Sequence, residues 1–371
     1  MQPKPSPYEQ NNDTQSPGRR SSGVLERRRL PLEWPADRDF RILSIDGGGI
    51  RGIFPAAFLA GLEERYLNGS SVSRYFDLIT GTSTGGVIAI GLGAGLCATE
   101  LRDLYIKRGG EIFPPTGAIG RWTRQVAGCF RYRYDRAALT HVLSEHLGSR
   151  TLGESQNRLC IPSCDGRRGD LYVFKTPHHP DYCTDGRESM TKVAAATSAA
   201  PTYYRLLDDG GYTFLDGGIW ANNPIMVGLV DALSCFTVPR ERIHILSIGC
   251  GSAPYTVGRW KERLGGLLAW HDIVQDAVHF QSLSALGQAG LLNGKDHIIR
   301  VDPPVKGRQI DLDDWDRARK VLPVTATTVL DEYEDSIARV FLADPSCPYH
   351  PAHSPMRASK AKPAVRGDHA T

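Results

Sequence analysis

The sequence predicts one α/β domain built on a largely parallel sheet with helices on both faces, and two patterns carry that reading. Short apolar runs of strand length alternate with longer stretches of helical periodicity, and three glycine-rich turns follow directly on strand-like runs. With 371 residues, 41% of them hydrophobic, the chain can bury a large core. Residues 1–38 are rich in Pro, Ser, Asn, Gln and Arg, with almost no apolar periodicity before Leu25, and are expected as a disordered arm. The Arg27-Arg28-Arg29 run within it reads as a solvated stretch that could touch anionic phosphates. The domain is expected over residues 39–345. Residues 346–371, with Pro, Ala, Lys and His, are expected as a flexible tail.

Taken in order, the expected elements are a strand at 40–45, a helix at 55–66, a strand at 76–80 and a helix at 85–93. A helix at 136–147 and strands at 170–174 and 212–215 follow, then a helix at 224–234, a strand at 243–248 and a helix at 273–286. In such sheets, chemistry gathers at the carboxyl ends of the strands.

Composition narrows the partners. A net charge of +3 from 44 basic and 41 acidic side chains is too weak a field to argue for DNA or RNA. Eight cysteines at irregular positions, with no apolar leader in the first thirty residues, point to reduced thiols in a cytoplasmic protein. No run approaches the ~18 apolar residues of a spanning helix, so any lipid is approached from the water side.

Three motifs carry chemistry. Gly81-Thr82-Ser83-Thr84-Gly85-Gly86 lies between a strand and an apolar helix. Small residues flank a serine in this way where a tight strand-to-helix turn lifts its hydroxyl into a site, with the helix N-terminus aimed at a developing anion. The bland reading, a glycine turn with an idle serine, does not account for the other two motifs. Asp46-Gly47-Gly48-Gly49-Ile50-Arg51-Gly52 also follows a strand, and consecutive glycines can expose N–H groups to an oxyanion, with Gly48 and Gly49 the candidates. Arg51 would steady that loop or approach a phosphate. Gly47, Gly49 and Gly52 also fit a dinucleotide-binding spacing. That rival needs an acid at the end of the second strand, whereas Glu63 and Glu64 fall on a helix and Asp77 opens its strand.

The third motif, Asp216-Gly217-Gly218, releases a carboxylate into a glycine turn at a strand end, where it could serve as the base that a serine nucleophile needs. Histidine is the usual base. His244, His271, His279 and His297 follow Asp216, none in a comparable loop, and each reads as packed or surface histidine while remaining open as a base.

The three motifs, in this order, resemble the patatin-like phospholipase family, as does Ala196-Thr197-Ser198-Ala199-Ala200-Pro201-Thr202-Tyr203-Tyr204; together they cover about residues 40–250. The resemblance implies a three-layer α/β/α fold with a mostly parallel central sheet and a Ser–Asp dyad without histidine. It implies Ser83 as nucleophile, Asp216 as base, Gly47, Gly48 and Gly49 as oxyanion loop, and no cofactor or metal, calcium included. It further implies a phospholipid or galactolipid substrate and peripheral contact with the inner face of the membrane. The chain is also similar, in size and around Lys175-Thr176-Pro177-His178-His179, to compact bacterial members of anti-phage defence. These are silent until a cyclic oligonucleotide activator binds.

Three remaining features have bland and functional readings. Residues 109–135 mix Trp122, Phe130, Tyr132 and Tyr134 with four arginines, which suits a lid, an activator site or an ordinary surface loop. The apolar spacing of residues 260–292 suits buried helices more than a membrane surface or a homo-oligomer contact. Cys160, Cys164, His178, His179 and Cys183 lack a strong zinc spacing.

Overall fold

The computed structural model describes residues 29–115, 132–251, 273–304 and 310–353. Eight strands form one sheet: β1 (Phe40–Ile45), β2 (Leu78–Gly81), β3 (Arg158–Asp165), β4 (Asp170–Lys175), β5 (Leu207–Asp209), β6 (Tyr212–Asp216), β7 (Ile243–Ile248) and β8 (Ile298–Val301). The helices are α1 (Ile53–Tyr66), α2 (Thr84–Gly93), α3 (Ala98–Ile112), α4 (Arg136–Leu147), α5 (Met190–Thr197), α6 (Gly218–Ala221), α7 (Ile225–Cys235), α8 (Ile273–Asn293) and α9 (Trp315–Phe341).

Alternation along the strands divides the core into two layers. On β1, Leu43 and Ile45 join one cluster with residues of α1, α2, α3 and α9. Phe40 and Ile42 join a second with Ile225, Leu229 and Ala232 of α7 and Ala285 and Ala289 of α8. Helix α2 is buried along its whole length, which requires a helix that is apolar all round.

The sheet is mixed. β3, β2, β1, β7 and β8 run parallel, in keeping with the largely parallel sheet expected, though β3 and β8 were not among the expected strands, whereas β4 and β6 run antiparallel to β3, and β5 antiparallel to β6. The register on β3 is decisive. β4 pairs with residues 160–165, while β2 pairs with 158–160 and β6 with 163–165. A strand has two edges, so β2 and β6 share one of them and meet tip to tip, Gly81 ending one and Asp216 the other. Pro162 falls in the gap between the tips, where no strand needs its missing N–H.

The packed body extends past the expected limits of 39 and 345. Leu32 pairs with Phe236 in a parallel bridge, and Trp34 is buried with its ring 4.6 Å from that of Phe40. At the other end the Cys347 N–H donates to Asp77 Oδ1 at 3.0 Å. Residues 30–38 and 346–353 are therefore not free arm and tail. Residues 1–28, which hold Arg27 and Arg28, and 354–371 lie outside the described residues.

Candidate active site

The turn from β2 into α2 is tight because backbone passes close to backbone. A Cβ on Gly81 would stand 2.1 Å from the Gly85 carbonyl oxygen, and one on Gly85 2.2 Å from that of Ile45. Ser83, between them, has φ 55° and ψ −119°, a conformation that costs a non-glycine residue on the order of 1–3 kcal/mol. The surroundings hold it there. The Ser83 N–H donates to Thr197 Oγ1 at 3.0 Å, whose own hydroxyl donates to the Pro162 carbonyl at 2.6 Å. The Thr82 hydroxyl donates to the Ala221 carbonyl at 2.6 Å.

The tip-to-tip strands bring the carboxylate to the serine. Ser83 Oγ donates to Asp216 Oδ2 at 2.7 Å, and Asp216 Oδ1 accepts the Gly218 N–H at 2.6 Å. Burial pushes the Asp216 carboxyl up to about 6, against the opposing pull of the Gly218 N–H and the Ser83 hydroxyl. It is thus ionised at neutral pH and close to the range where proton uptake is easy.

The histidines have other partners. His178 Nε2 is 2.7 Å from Asp231 Oδ2, and His179 Nε2 is 3.0 Å from the Leu30 carbonyl. His244 and His297 lie ring to ring at 5.1 Å, and His279 sits against Phe280 on α8. His271 lies outside the described residues.

The glycine loop runs beside the serine: a Cβ on Gly47 would be 3.5 Å from Ser83 Cβ. Its three members differ. The Gly47 N–H is taken by the Asn222 carbonyl at 2.9 Å, so Gly47 is a spacer and not an oxyanion donor, a correction to its place in the expected trio. Among the described residues no acceptor faces the N–H of Gly48 or Gly49. Gly49 has φ +57°, and a Cβ there would meet the Leu312 carbonyl at 2.5 Å, so only glycine suits. Arg51 turns onto the loop, Nε donating to the Gly48 carbonyl at 3.3 Å and Nη1 to the Gly251 carbonyl at 3.2 Å. A hydroxyl on a carboxylate, beside two unclaimed N–H groups, is equipment for acyl transfer.

Two supports escaped the sequence. Asn222 anchors Gly47 and is itself held by α8, its N–H donating to Gln281 Oε1 at 3.1 Å and its Nδ2 to Ser282 Oγ at 3.2 Å. Arg300 forks onto Asp46, the residue that precedes the loop; a lone arginine in the apolar strand β8 was the only signal.

The remaining features settle elsewhere. Glu63, near the position the dinucleotide reading needs, is buried and accepts the N–H groups of Val72 and Ala98. The five residues weighed for zinc do not converge. Cys164 Sγ lies on the Asp216 carbonyl at 3.6 Å, and Cys183 is exposed. Cys160 and His178 do approach Asp231. There, however, the Lys175 ammonium stands 3.1 Å from Asp231 Oδ1, and Tyr182 donates to the same oxygen at 2.6 Å. A lysine already fills the cation's place, so this donor set does not fit a metal. Of residues 109–135, 116–131 lie outside the described residues; Tyr134 donates to Asp313 Oδ2 at 2.8 Å, and the Arg133 guanidinium lies 4.8 Å over the Tyr203 ring. Of residues 260–292, 260–272 lie outside the described residues and the rest is α8.

Similarity to known proteins falls on this constellation. A family model described as patatin-like phospholipase matches residues 43–229. A cGAMP-activated phospholipase of Pseudomonas aeruginosa is 32% identical over 322 residues, covering 82% of this chain and 90% of that one. A protein of the same description from Vibrio cholerae is 40% identical over 204 residues, 51% of this chain and 56% of the other. One from Escherichia coli is 34% identical over 229 residues, 58% and 64%. The matched span contains the elbow, the glycine loop and Asp216, and the chain belongs to the patatin-like phospholipase family.

Proposed function

We propose that the chain hydrolyses fatty-acyl esters of membrane phospholipids with Ser83 as nucleophile and Asp216 as sole base. The observation that carries this is the 2.7 Å hydrogen bond from Ser83 Oγ to Asp216 Oδ2, made on a strained turn. As Oγ bonds to the acyl carbon, its proton passes to Asp216, and the carbonyl oxygen, now an anion, is held by the N–H groups of Gly48 and Gly49. The C–O bond to the lysophospholipid breaks, and the leaving oxygen takes the proton from Asp216. Water then attacks the acyl-serine, gives a proton to the same carboxylate, and the fatty acid leaves as Ser83 recovers its hydrogen.

Among the described residues no helix is long and apolar enough to cross a membrane, and the proposed contact is peripheral, at the inner face. Ile219, three residues beyond Asp216, is 51% exposed, and α6, which carries it, packs against α8, where Phe280 and Leu283 are about as exposed. Exposed apolar side chains on the helix beside the catalytic turn and on the helix it packs against support contact with lipid. Ser83→Ala should abolish fatty-acid release from phospholipid vesicles while leaving the fold intact, and retained turnover would sink the assignment.

Activation by a cyclic nucleotide, and with it a part in anti-phage defence, belongs to the same proposal, the activation being supported by the three relatives described as cGAMP-activated. Vesicle hydrolysis is expected to rise on addition of cGAMP. Equal rates with and without it would remove the gating and leave a constitutive esterase or galactolipase.

A further inference from the structure

We infer that Arg300 is a positioning residue for the oxyanion loop, fixing the Gly48 and Gly49 N–H groups through Asp46 on one side and through Asp302, Gly251 and Arg51 on the other. The inference rests on reading Ser83 as an acyl-transfer nucleophile. Arg300 lies on β8 in one rung with Ser247 of β7 and Ser44 of β1. From there its guanidinium reaches past β7. Nη1 donates to Asp46 Oδ1 at 3.0 Å and to Ser247 Oγ at 2.8 Å. Nη2 donates to Asp46 Oδ2 at 2.6 Å and to Asp302 Oδ2 at 3.0 Å.

The contacts continue back to the loop. Asp302 Oδ1 accepts the Gly251 N–H at 3.1 Å. The Gly251 carbonyl accepts Arg51 Nη1, and Arg51 Nε donates to the Gly48 carbonyl. The circuit leaves the backbone at residue 46 and returns to it at residue 48, bracketing the peptide groups that face the reacting carbonyl.

Two physical arguments make this more than packing. Three consecutive glycines have no side chains with which to fix their own peptide planes, and glycine loses more freedom on ordering than any other residue. Oxyanion donors accelerate a reaction only if they are already aimed, so the aim must be imposed from outside. The Asp46 and Arg300 side chains are also largely buried, 5% and 19% exposed, and a buried ion pair contributes little net stability compared with apolar residues of the same volume. What a planar guanidinium supplies is angle: two parallel N–H···O bonds set the carboxylate plane, which an ammonium cannot do.

The test compares Arg300→Lys and Arg300→Met with wild type on a soluble short-chain ester, with cGAMP present, so that membrane binding does not enter. The lysine variant keeps the charge beside Asp46 and is the safeguard against misfolding. The expected result for both is a fall in kcat of about 10- to 100-fold with KM within about twofold, since a misplacement of about 1 Å can cost 10²-fold. Affinity for a trifluoromethyl ketone that adds to Ser83 should fall in proportion to kcat/KM, a correlation that a merely structural role would not produce. Folded variants with kcat within about twofold of wild type overturn the inference, as does a loss that tracks the unfolded fraction and recovers on cooling. A wild type without Ser83-dependent turnover overturns the hydrolase reading, and the inference with it.

Discussion

Replacing Asp216 by Asn separates what the carboxylate does for the reaction from what it costs the fold. In the wild type the side chain is buried, and loss of water raises its pKa from an ordinary 3.8 to about 6. A change of that size corresponds to about 3 kcal/mol. Because the folded value lies above the unfolded one, the native state holds the proton more tightly. The resulting stabilisation is full below about pH 4 and lost as the pH rises through about 6. At pH 7 the native protein therefore carries a buried charge that asparagine would not. Asparagine can keep both contacts, its carbonyl accepting from Gly218 and its amide donating to Ser83 Oγ. In urea denaturation the variant is expected to be more stable by up to about 3 kcal/mol at pH 7, with the gap closing towards pH 4. Asp46 and Asp77, which burial also raises to about 6, are present in both proteins and cancel. Ester turnover by the variant is expected to fall by about 10²- to 10⁴-fold, while wild-type kcat/KM falls at least tenfold per pH unit below about 6, since Asp46 takes up its proton in the same range as Asp216. A variant less stable than wild type at pH 7, or a gap independent of pH, would refute the electrostatic reasoning.

Three further outcomes follow from the same geometry. Gly85→Ala places a methyl 2.2 Å from the Ile45 carbonyl oxygen, so α2 must move away from β1; a stability loss of about 1–3 kcal/mol should accompany loss of turnover, read from urea midpoints and an ester assay. Thr197→Val strips Ser83 of its N–H acceptor and Pro162 of its donor; unpaired buried groups cost about 1–3 kcal/mol, and the relaxed elbow should lower kcat more than it changes KM. Lys175→Met leaves Asp231, whose carboxyl Lys175 and His178 hold well below its usual range, without its ammonium partner. Breaking a buried pair in this way costs about 3–5 kcal/mol, with kcat per folded molecule unchanged because Lys175 lies on β4, with β3 between it and the β2 strand that leads to the serine.

What was legible beforehand depended on how local the cause is. The elbow could be read because the residues that permit its turn, Gly81 to Gly85, are adjacent in sequence, even though Ile45, Thr197 and Ala221 complete its support. β7 appears at its expected bounds, Ile243–Ile248, because Ile243, Ile245, Leu246 and Ile248 concentrate apolar, mostly β-branched side chains within six residues. β3 went unread: Pro162 argues against a strand, and the gap that makes proline harmless there exists only once β2 and β6 have met. α9 was hidden by its charges and by Pro323 inside it. At the site, Ser83 and Asp216 were identifiable as a nucleophile and a carboxylate, but their union depends on the antiparallel turn of β6, which strand patterns cannot orient. The exclusion of Gly47 as a donor was out of reach, since it rests on the carbonyl of Asn222, far along the chain. Arg300 could not be assigned for the same reason, its target being 254 positions away.

The meeting of β2 and β6 along one edge of β3 also has a meaning for the chain as it is made. Ser83 and its acceptor are 133 positions apart, so a chain growing from its N-terminus exposes serine and glycine loop well before the carboxylate exists. Asn222 must then wait for Gln281 and Ser282, and Asp46 for Arg300. A fragment left by stalled synthesis or by cleavage upstream of residue 216 therefore has the Ser83 hydroxyl without its carboxylate partner. For a phospholipase, bringing serine and carboxylate together only after both have been made is itself a safeguard.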